Sequence, residues 1–148
     1  NKSNFNKDTD LLLYMAARSE NINIIKKSFN KKIILIDRFT DSTIAYQHYG
    51  MDVDLNLIET LNKYLLKNIK VSFTFLNLVN KKNLQKRLKQ RKSLNRYDKF
   101  KMSFYNKVQK GFLNLSKKQK NKYQLVNSNL DINNNEKLIL DKIDRLIK

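Results

Sequence analysis

Two kinds of hydrophobic pattern alternate along the chain, one with a helical period and one made of short apolar runs. Apolar residues at every third or fourth position indicate amphipathic helices, whereas short continuous runs indicate buried strands. The helical pattern predicts helices over about residues 10–29, 54–67, 81–91, 99–120 and 135–148. The apolar runs predict strands over about residues 33–37, 71–78 and 123–127. Strands and helices that alternate in this way are typical of an α/β fold with a parallel sheet.

The first predicted strand ends in two charged residues. Residues 33–36 are all aliphatic, and Asp37 and Arg38 follow them directly. Such a strand is typical of a parallel sheet covered by helices on both faces. Open α/β sheets bind ligands outside the carboxyl ends of their strands, so this pair is a candidate for a binding site. A carboxylate can hold a metal ion or its water, and the planar guanidinium suits phosphate.

Four side chains that could surround a nucleotide follow this pair. Phe39, Thr43, Tyr46 and Gln47 lie at spacings of four, three and one, so a helical segment would gather them on one side. They supply an aromatic ring, a hydroxyl, a phenol and an amide. A buried strand followed by an ion pair and an amphipathic turn explains the same pattern, and the residues alone leave both interpretations open.

The composition narrows the class of protein. About 150 residues can form one domain with a sizeable core. The chain has 148 residues, no Cys and one His, which excludes a disulfide, a thiol nucleophile and a Cys-based or His-rich metal site. It contains no signal-peptide pattern and no apolar run that could span a bilayer, so we expect a soluble cytoplasmic protein.

The charge balance is strongly basic. Lys and Arg number 31 against 13 Asp and Glu, which gives a formal net charge of +18. Such a balance suggests a nucleic-acid-binding module as one hypothesis. The lysines are dispersed from Lys2 to Lys148, however, so we expect a general attraction for phosphorylated ligands and no dedicated nucleic-acid groove.

Residues 37–47, Asp-Arg-Phe-Thr-Asp-Ser-Thr-Ile-Ala-Tyr-Gln, resemble the Asp-Arg-Tyr/Phe/His…Ser…Ala-Tyr-Gln signature of thymidylate kinases. These enzymes transfer the γ-phosphoryl group of ATP to dTMP. The resemblance implies that Arg38 binds the dTMP phosphate, Thr43 the base edge and Tyr46 the sugar side. Phe39, Ser42 and Gln47 are then pocket neighbours, and Asp37 would hold a metal ion through water.

The first predicted helix extends the resemblance. Leu-Leu-Leu-Tyr-Met-Ala-Ala-Arg, residues 11–18, is similar to the family's Leu-Leu-Phe-Ala-Ala-Asp-Arg segment. In that family the aromatic ring stacks on thymine and the Arg bonds a base carbonyl, roles that fall to Tyr14 and Arg18. An ordinary surface pair four residues apart is the alternative explanation.

Three arginines follow the second predicted strand. Arg87, Arg91 and Arg96 stand in a pattern that resembles the mobile lid Arg-x-x-x-Arg-Gly-x-x-Asp-Arg-x-Glu of thymidylate kinases. The resemblance implies that these catalytic guanidinium groups, like that of Arg38, act on the phosphates. Residues 127–129 occupy the place of the loop that passes the adenine. The chain departs from the lid pattern at Lys92, Asn95 and Asp98.

The resemblance implies a three-layer parallel sheet with helices on both faces, of the P-loop nucleoside monophosphate kinase type. With only two Gly, the sequence contains no phosphate loop Gly-x-x-x-x-Gly-Lys-Ser/Thr. We therefore expect residues 1–148 to be one domain fragment that is incomplete at its amino-terminal end and inactive alone. Its expected parts are a dTMP-binding part (1–50), a basic helix and lid (81–98) and a carboxyl-terminal helix, strand and helix (99–148).

The complete enzyme would use ATP and Mg²⁺ to convert dTMP to dTDP in dTTP synthesis, as a homodimer without membrane association. A related deoxynucleoside or nucleoside monophosphate kinase is the alternative within the same fold. Arg18 and Thr43 favour thymine over other bases.

Overall fold

A computed structural model describes residues 5–29, 31–93 and 95–147 of the chain. The chain forms two compact units. Unit 1 comprises Asn1–Val71 and Phe100–Leu115, and unit 2 comprises Ser72–Lys99 and Ser116–Lys148. None of the helices in the described ranges has the length and apolar character needed to cross a bilayer.

Four helical segments build unit 1. They are α1 (Lys7–Lys26), α2 (Thr40–Thr43) with a π-helical continuation (Ile44–Gly50), α3 (Leu55–Leu66) and the larger part of α5 (Met102–Lys118). Helix α3 begins after Asp54, whose carboxylate accepts from the Leu57 amide. Asn6 caps α1 by accepting from the Thr9 amide at 2.7 Å. The predicted first helix is confirmed, although it starts about one turn earlier than the hydrophobic pattern indicates because Asn6 supplies the cap.

The core of unit 1 lies between α1, the π-helical segment and α3. Leu11 and Met15 of α1 meet Val53 and Ile58 there, and all four are buried. Ile58 projects from the first turns of α3. Val53 lies in the loop before α3, and Ile44 of the π-helical segment packs against the same cluster, so the core joins three elements. This packing fixes where the polar residues of the same helices point.

The prediction of a buried strand over residues 33–37 is wrong for this structure. The segment has no strand assignment, and Leu35 is 80% exposed. The only strand pairing in the described part of the chain lies in unit 2, so residues 33–37 have no neighbouring strand to satisfy their amides and carbonyls there. An apolar run becomes a buried strand only when a partner strand and covering helices are present.

Gly50 is required for close packing. Its φ is not positive, so a left-handed backbone does not account for the glycine at this position. A Cβ on Gly50 would lie 2.5 Å from the Phe104 ring, and one on Gly111 would lie 2.6 Å from the Tyr49 ring. The two glycines therefore let the π-helical segment approach α5.

Unit 2 contains the two strands of a parallel sheet, β1 (Thr74–Leu78) and β2 (Tyr123–Asn127). Leu76 lies opposite Leu125 in the register. The helices of unit 2 are α4 (Lys81–Gln90) and α6 (Ile132–Ile147). Parallel strands need crossover connections, and here the chain passes through helices between β1 and β2. The second and third predicted strands are thus confirmed within three residues of their expected bounds.

Candidate functional site

Arg18 is the centre of the polar cluster in unit 1. Its side chain reaches Asn62 of α3, the Phe39 carbonyl and the Thr43 hydroxyl, although the residue is only 7% exposed. Nη1 donates to Asn62 Oδ1 at 2.8 Å, and Nη2 donates to Phe39 O at 3.1 Å and to Thr43 Oγ1 at 2.7 Å. A planar group with several donors can serve acceptors on three elements at once, which an ammonium point charge does poorly.

The guanidinium of Arg18 also lies over the Phe39 ring. Its central carbon is 5.4 Å from the ring centroid, within the range of a cation–π contact. Burial lowers the pKa of Arg18 below its ordinary value, and the nearby carboxylate of Asp41 opposes that shift. Arg18 nevertheless stays charged at neutral pH, because the guanidinium pKa begins so high.

Helix α2 and its π-helical continuation present Thr43 and Gln47 on one side and Tyr46 on another. Thr43 and Gln47 are buried, and Gln47 Nε2 donates to Asp10 Oδ2 of α1 at 2.9 Å. Tyr46 packs edge-to-face against Phe104 and Phe112 of α5, with centroid distances of 5.9 and 6.3 Å. The predicted cluster is therefore divided, since one pair of residues faces α1 while Tyr46 faces α5.

Arg38 occupies a strained turn before α2. Its φ is 61°, in the left-handed region that residues other than Gly rarely adopt. Its guanidinium lies 5.1 Å from the centroid of the Tyr46 ring. Backbone strain of this kind concentrates at functional sites, where the surrounding structure holds it. The turn thus brings together two residues that the sequence singles out for phosphate and sugar.

The remaining candidates of unit 1 lie at its surface. Tyr14 is 43% exposed and stands one helical turn before Arg18. Asp37 is exposed, and Ser42 is half-buried with its amide donating to Phe39 O at 3.2 Å. The structure therefore brings Arg18, Thr43 and Phe39 into direct contact and gives no such contact between Asp37 and that cluster.

The lid arginines belong to unit 2. Arg87 Nη2 donates to the Ser128 carbonyl at 2.6 Å, which ties α4 to the loop after β2. Arg91 Nη1 donates to both carboxylate oxygens of Asp98, at 2.6 and 2.7 Å. Arg96 lies 6.0 Å from the Tyr97 ring centroid. Asp98, a departure from the lid pattern, is thus the partner of the second lid arginine.

Two residues of the unit 1 cluster are absent from the sequence-based candidates. Asn62 looks like an ordinary polar position on α3, and Asp10 looks like an acidic residue in the first turn of α1. Only a contact across 44 residues for Asn62 and 37 residues for Asp10 reveals their roles. The polarity of Asn62 beside Leu61 carries no local signal for such a contact.

The described residues do not form a metal site of their own. No group of three or more His, Cys, Asp or Glu side chains lies close enough together in that part of the chain. Mg²⁺ that is bound mainly by phosphate oxygens and water needs only one or two protein carboxylates. A site that holds a metal ion by protein side chains alone needs more ligands.

Comparison with a solved structure classifies the fold of this chain. The crystal structure of thymidylate kinase from Ehrlichia chaffeensis superimposes with a TM-score of 0.72 at 26% identity, over 100% of this chain and 70% of that one. The parallel sheet with crossover helices and this match define the P-loop nucleoside monophosphate kinase fold. The predicted α/β fold class is thereby confirmed.

Residues 1–139 match the family model described as thymidylate kinase. The thymidylate kinase of Wolbachia pipientis subsp. Culex pipiens is 32% identical over 137 residues, which are 91% of this chain and 65% of that protein. The thymidylate kinase of Wolbachia sp. subsp. Brugia malayi is 38% identical over 113 residues, 75% of this chain and 53% of that protein. The chain belongs to the thymidylate kinase family, and it spans less than two thirds of the length of these two curated relatives.

Proposed function

We propose that this chain supplies the dTMP-binding part, the lid and the carboxyl-terminal part of an enzyme that transfers the γ-phosphoryl group of ATP to dTMP. The products are dTDP and ADP. The contact between Arg18, Thr43 and Phe39 carries the proposal, because it assembles a cation, a hydroxyl and a ring from segments that resemble the family's base-binding residues. Membership of the family supports the reaction.

Base recognition belongs to α1 and α2 in this proposal. Tyr14 is partly exposed and supplies an aromatic ring on which a base can stack, and Arg18 lies one turn further along the same helix. A guanidinium donates and cannot accept, so it suits the carbonyl oxygen at position 4 of thymine and rejects the amino group of cytosine. Thr43 both donates and accepts, and it completes the base edge.

Arg38 binds the dTMP phosphate, and its stacking on Tyr46 orients the guanidinium. Tyr46 lies on the sugar side, where its ring would obstruct a 2′-hydroxyl and so favour a deoxyribonucleotide. Ser42 and Gln47 complete the surroundings of the pocket. The ring of Tyr46 is held by two aromatic residues of α5, which gives this selection a rigid support.

Arg87, Arg91 and Arg96 act on the phosphates of ATP as the lid. The charge that develops on a transferring phosphoryl group is stabilised mainly by such cations, and positioning matters more than a strong base. The Arg91–Asp98 ion pair would have to loosen for the Arg91 guanidinium to reach a phosphate. Mg²⁺ arrives with ATP, and Asp37 is the carboxylate proposed to meet it through water. The complete enzyme is proposed to be a homodimer in the cytoplasm.

The deciding experiment measures phosphoryl transfer from ATP to dTMP with Mg²⁺. It compares this chain with the full-length product of the reading frame that contains it. We expect transfer by the full-length product, with dTMP preferred over dCMP, UMP and thymidine. Equal use of dCMP would favour a related nucleoside monophosphate kinase. Transfer to none of the four acceptors would contradict the proposal.

A further inference from the structure

A buried carboxylate on α1 lies outside the residues assigned above. Asp10 is 5% exposed, and its Oδ2 accepts from Nε2 of Gln47, which is 1% exposed, at 2.9 Å. Asp residues are rarely this buried unless they are paired or strongly hydrogen-bonded. The Asp10–Gln47 pair is therefore an interaction that the structure maintains between two elements of the site.

Arg18 makes a similar polar contact about two turns further along α1. Asp10 and Arg18 lie eight residues apart on α1, and Gln47 and Thr43 lie four residues apart on the segment that starts with α2. Arg18 contacts Thr43, and Asp10 contacts Gln47. Two polar contacts at different positions along the helix axes fix both the distance and the register of two packed helices. One contact alone would leave the helices free to rotate about it.

We propose that Asp10 is a positioning residue for dTMP, acting through Gln47. This inference rests on the proposed function. Gln47 follows Tyr46 directly and stands one turn after Thr43, so the bond to Asp10 sets the rotation of the segment that presents both residues to the nucleotide. Asp10 contacts no part of the substrate in this role, and its effect is on the geometry of the base and sugar contacts.

The polarity of the pair provides a specific test. The Asp10 carboxylate can only accept, and the Gln47 amide nitrogen donates to it. Gln47→Glu places a carboxylate opposite a carboxylate, and neither ionised group can donate, so the bond is lost unless the buried pair takes up a proton. The double variant Asp10→Asn/Gln47→Glu exchanges donor and acceptor and restores the bond with the same atoms in nearly the same places.

The experiment uses the full-length product of the reading frame and measures the KM for dTMP, the KM for ATP and the melting temperature. We expect Asp10→Leu and Gln47→Glu to raise the KM for dTMP about tenfold or more, since a buried bond to a charged group is lost. The KM for ATP should change by less than about twofold, because unit 2 holds the residues proposed for ATP. Asp10→Asn should remain within about threefold of the unsubstituted protein, and the double variant should recover most of the loss seen in Gln47→Glu.

Asp8→Asn is the matched control. Asp8 is acidic and lies in the same first turn of α1, but it is exposed. This variant removes a similar charge near the helix amino terminus and should leave the KM for dTMP unchanged. A change as large as that of Asp10→Leu would show that helix electrostatics, and not the bond to Gln47, determine the effect, and would overturn the inference.

The remaining outcomes of the experiment also test the inference. An unchanged KM for dTMP in Asp10→Leu and Gln47→Glu would overturn the inference and leave the proposed function intact. Parallel losses in both KM values and in melting temperature, without rescue by the double variant, would assign the pair a merely structural role and overturn it too. If Asp10→Leu fails to fold, Gln47→Glu and its rescue decide the matter. Absence of dTMP turnover in the unsubstituted protein would overturn the proposed function, and this inference with it.

Discussion

At the scale of single residues, Arg18 shows how one side chain joins distant parts of the chain. Its guanidinium links α1, the turn before α2 and α3 through neutral acceptors. A buried cation depends on such hydrogen bonds, because they replace the water it has lost, and the nearby carboxylate of Asp41 adds a favourable charge. Arg18 is also the residue proposed to meet the thymine edge, so stability and recognition share it.

Replacing Arg18 with Lys keeps the charge but not the geometry. A single ammonium nitrogen cannot reach Asn62, Phe39 O and Thr43 in the directions that the planar fork does. We expect the free energy of unfolding to fall by about 2–3 kcal/mol and the dTMP affinity by about tenfold or more. Chemical denaturation and calorimetric titration with dTMP would measure the two effects. Arg145→Lys, at an exposed position of α6, serves as the control and should change neither quantity.

The titration of Arg18 should not make dTMP affinity depend on pH in the neutral range. Burial lowers the pKa of Arg18 in the folded chain, so the folding penalty of the charged form is fully present below the folded pKa. That penalty is relieved only as the pH rises from the pKa of Arg18 in the folded chain toward its pKa in the unfolded chain. For a guanidinium this range is strongly alkaline. A change in dTMP affinity between about pH 6 and 8 would therefore have to come from another group, such as the dTMP phosphate.

At the scale of elements, the approach of the π-helical segment to α5 depends on Gly50. The Phe104 ring that a Cβ would meet is itself 8% exposed and is in contact with the rings of Tyr46, Phe100 and Tyr105. It therefore has little room to move. Tyr46 belongs to the same aromatic group, so a shift of this helix would also move a residue proposed to contact the sugar.

Gly50→Ala tests this packing. Alanine would gain up to about 1 kcal/mol of helix propensity, but the 2.5 Å approach to Phe104 forces a displacement that costs more. We expect a net loss of about 1–2 kcal/mol in the free energy of unfolding, measured by thermal or chemical denaturation. Ser103→Ala, at an exposed position of α5, is the comparison and should have little effect. A Gly50→Ala protein of equal or higher stability would show that α5 yields readily.

The contrast between residues 33–37 and residues 123–127 shows where pattern reasoning stops at this scale. Both are short apolar segments with strand-forming residues, yet only the second is a strand here. Residues 123–127 pair with β1, whereas residues 33–37 have no strand beside them in the described part of the chain. Helices satisfy their backbone groups internally, so all five predicted helices are confirmed to within a few residues.

At the scale of the whole molecule, the charged residues contribute differently from what the net charge suggests. The +18 charge is spread along the chain, whereas the arginines proposed to contact the substrates are Arg18, Arg38, Arg87, Arg91 and Arg96. Arg18 and Arg38 belong to unit 1, and the lid arginines belong to unit 2. The proposed dTMP residues and the proposed ATP residues thus fall in separate compact units.

This division predicts where dTMP slows amide hydrogen exchange. Residues 7–26 and 40–50 of unit 1 carry the proposed base and sugar contacts, and Arg38 in the turn before α2 carries the proposed phosphate contact. The amides of residues 7–26 and 38–50 should therefore exchange more slowly with dTMP bound. The strands at 74–78 and 123–127 should exchange at the same rate with and without it. Mass spectrometry of peptic fragments would measure both, with thymidine as a ligand that lacks the phosphate. Protection confined to unit 2 would contradict the assignment of dTMP to unit 1.

The sequence alone determined the helices, two of the strands and the family, because periodicity, capping residues and the order of residues 37–47 are local properties. Tertiary structure decided which polar residues meet. The bonds of Arg18 to Asn62 and of Gln47 to Asp10 join residues 44 and 37 positions apart. It also decided that Leu35 is exposed and that Gly50 is needed for packing and not for its φ. Such contacts depend on how helices pack against one another, which no short stretch of sequence specifies.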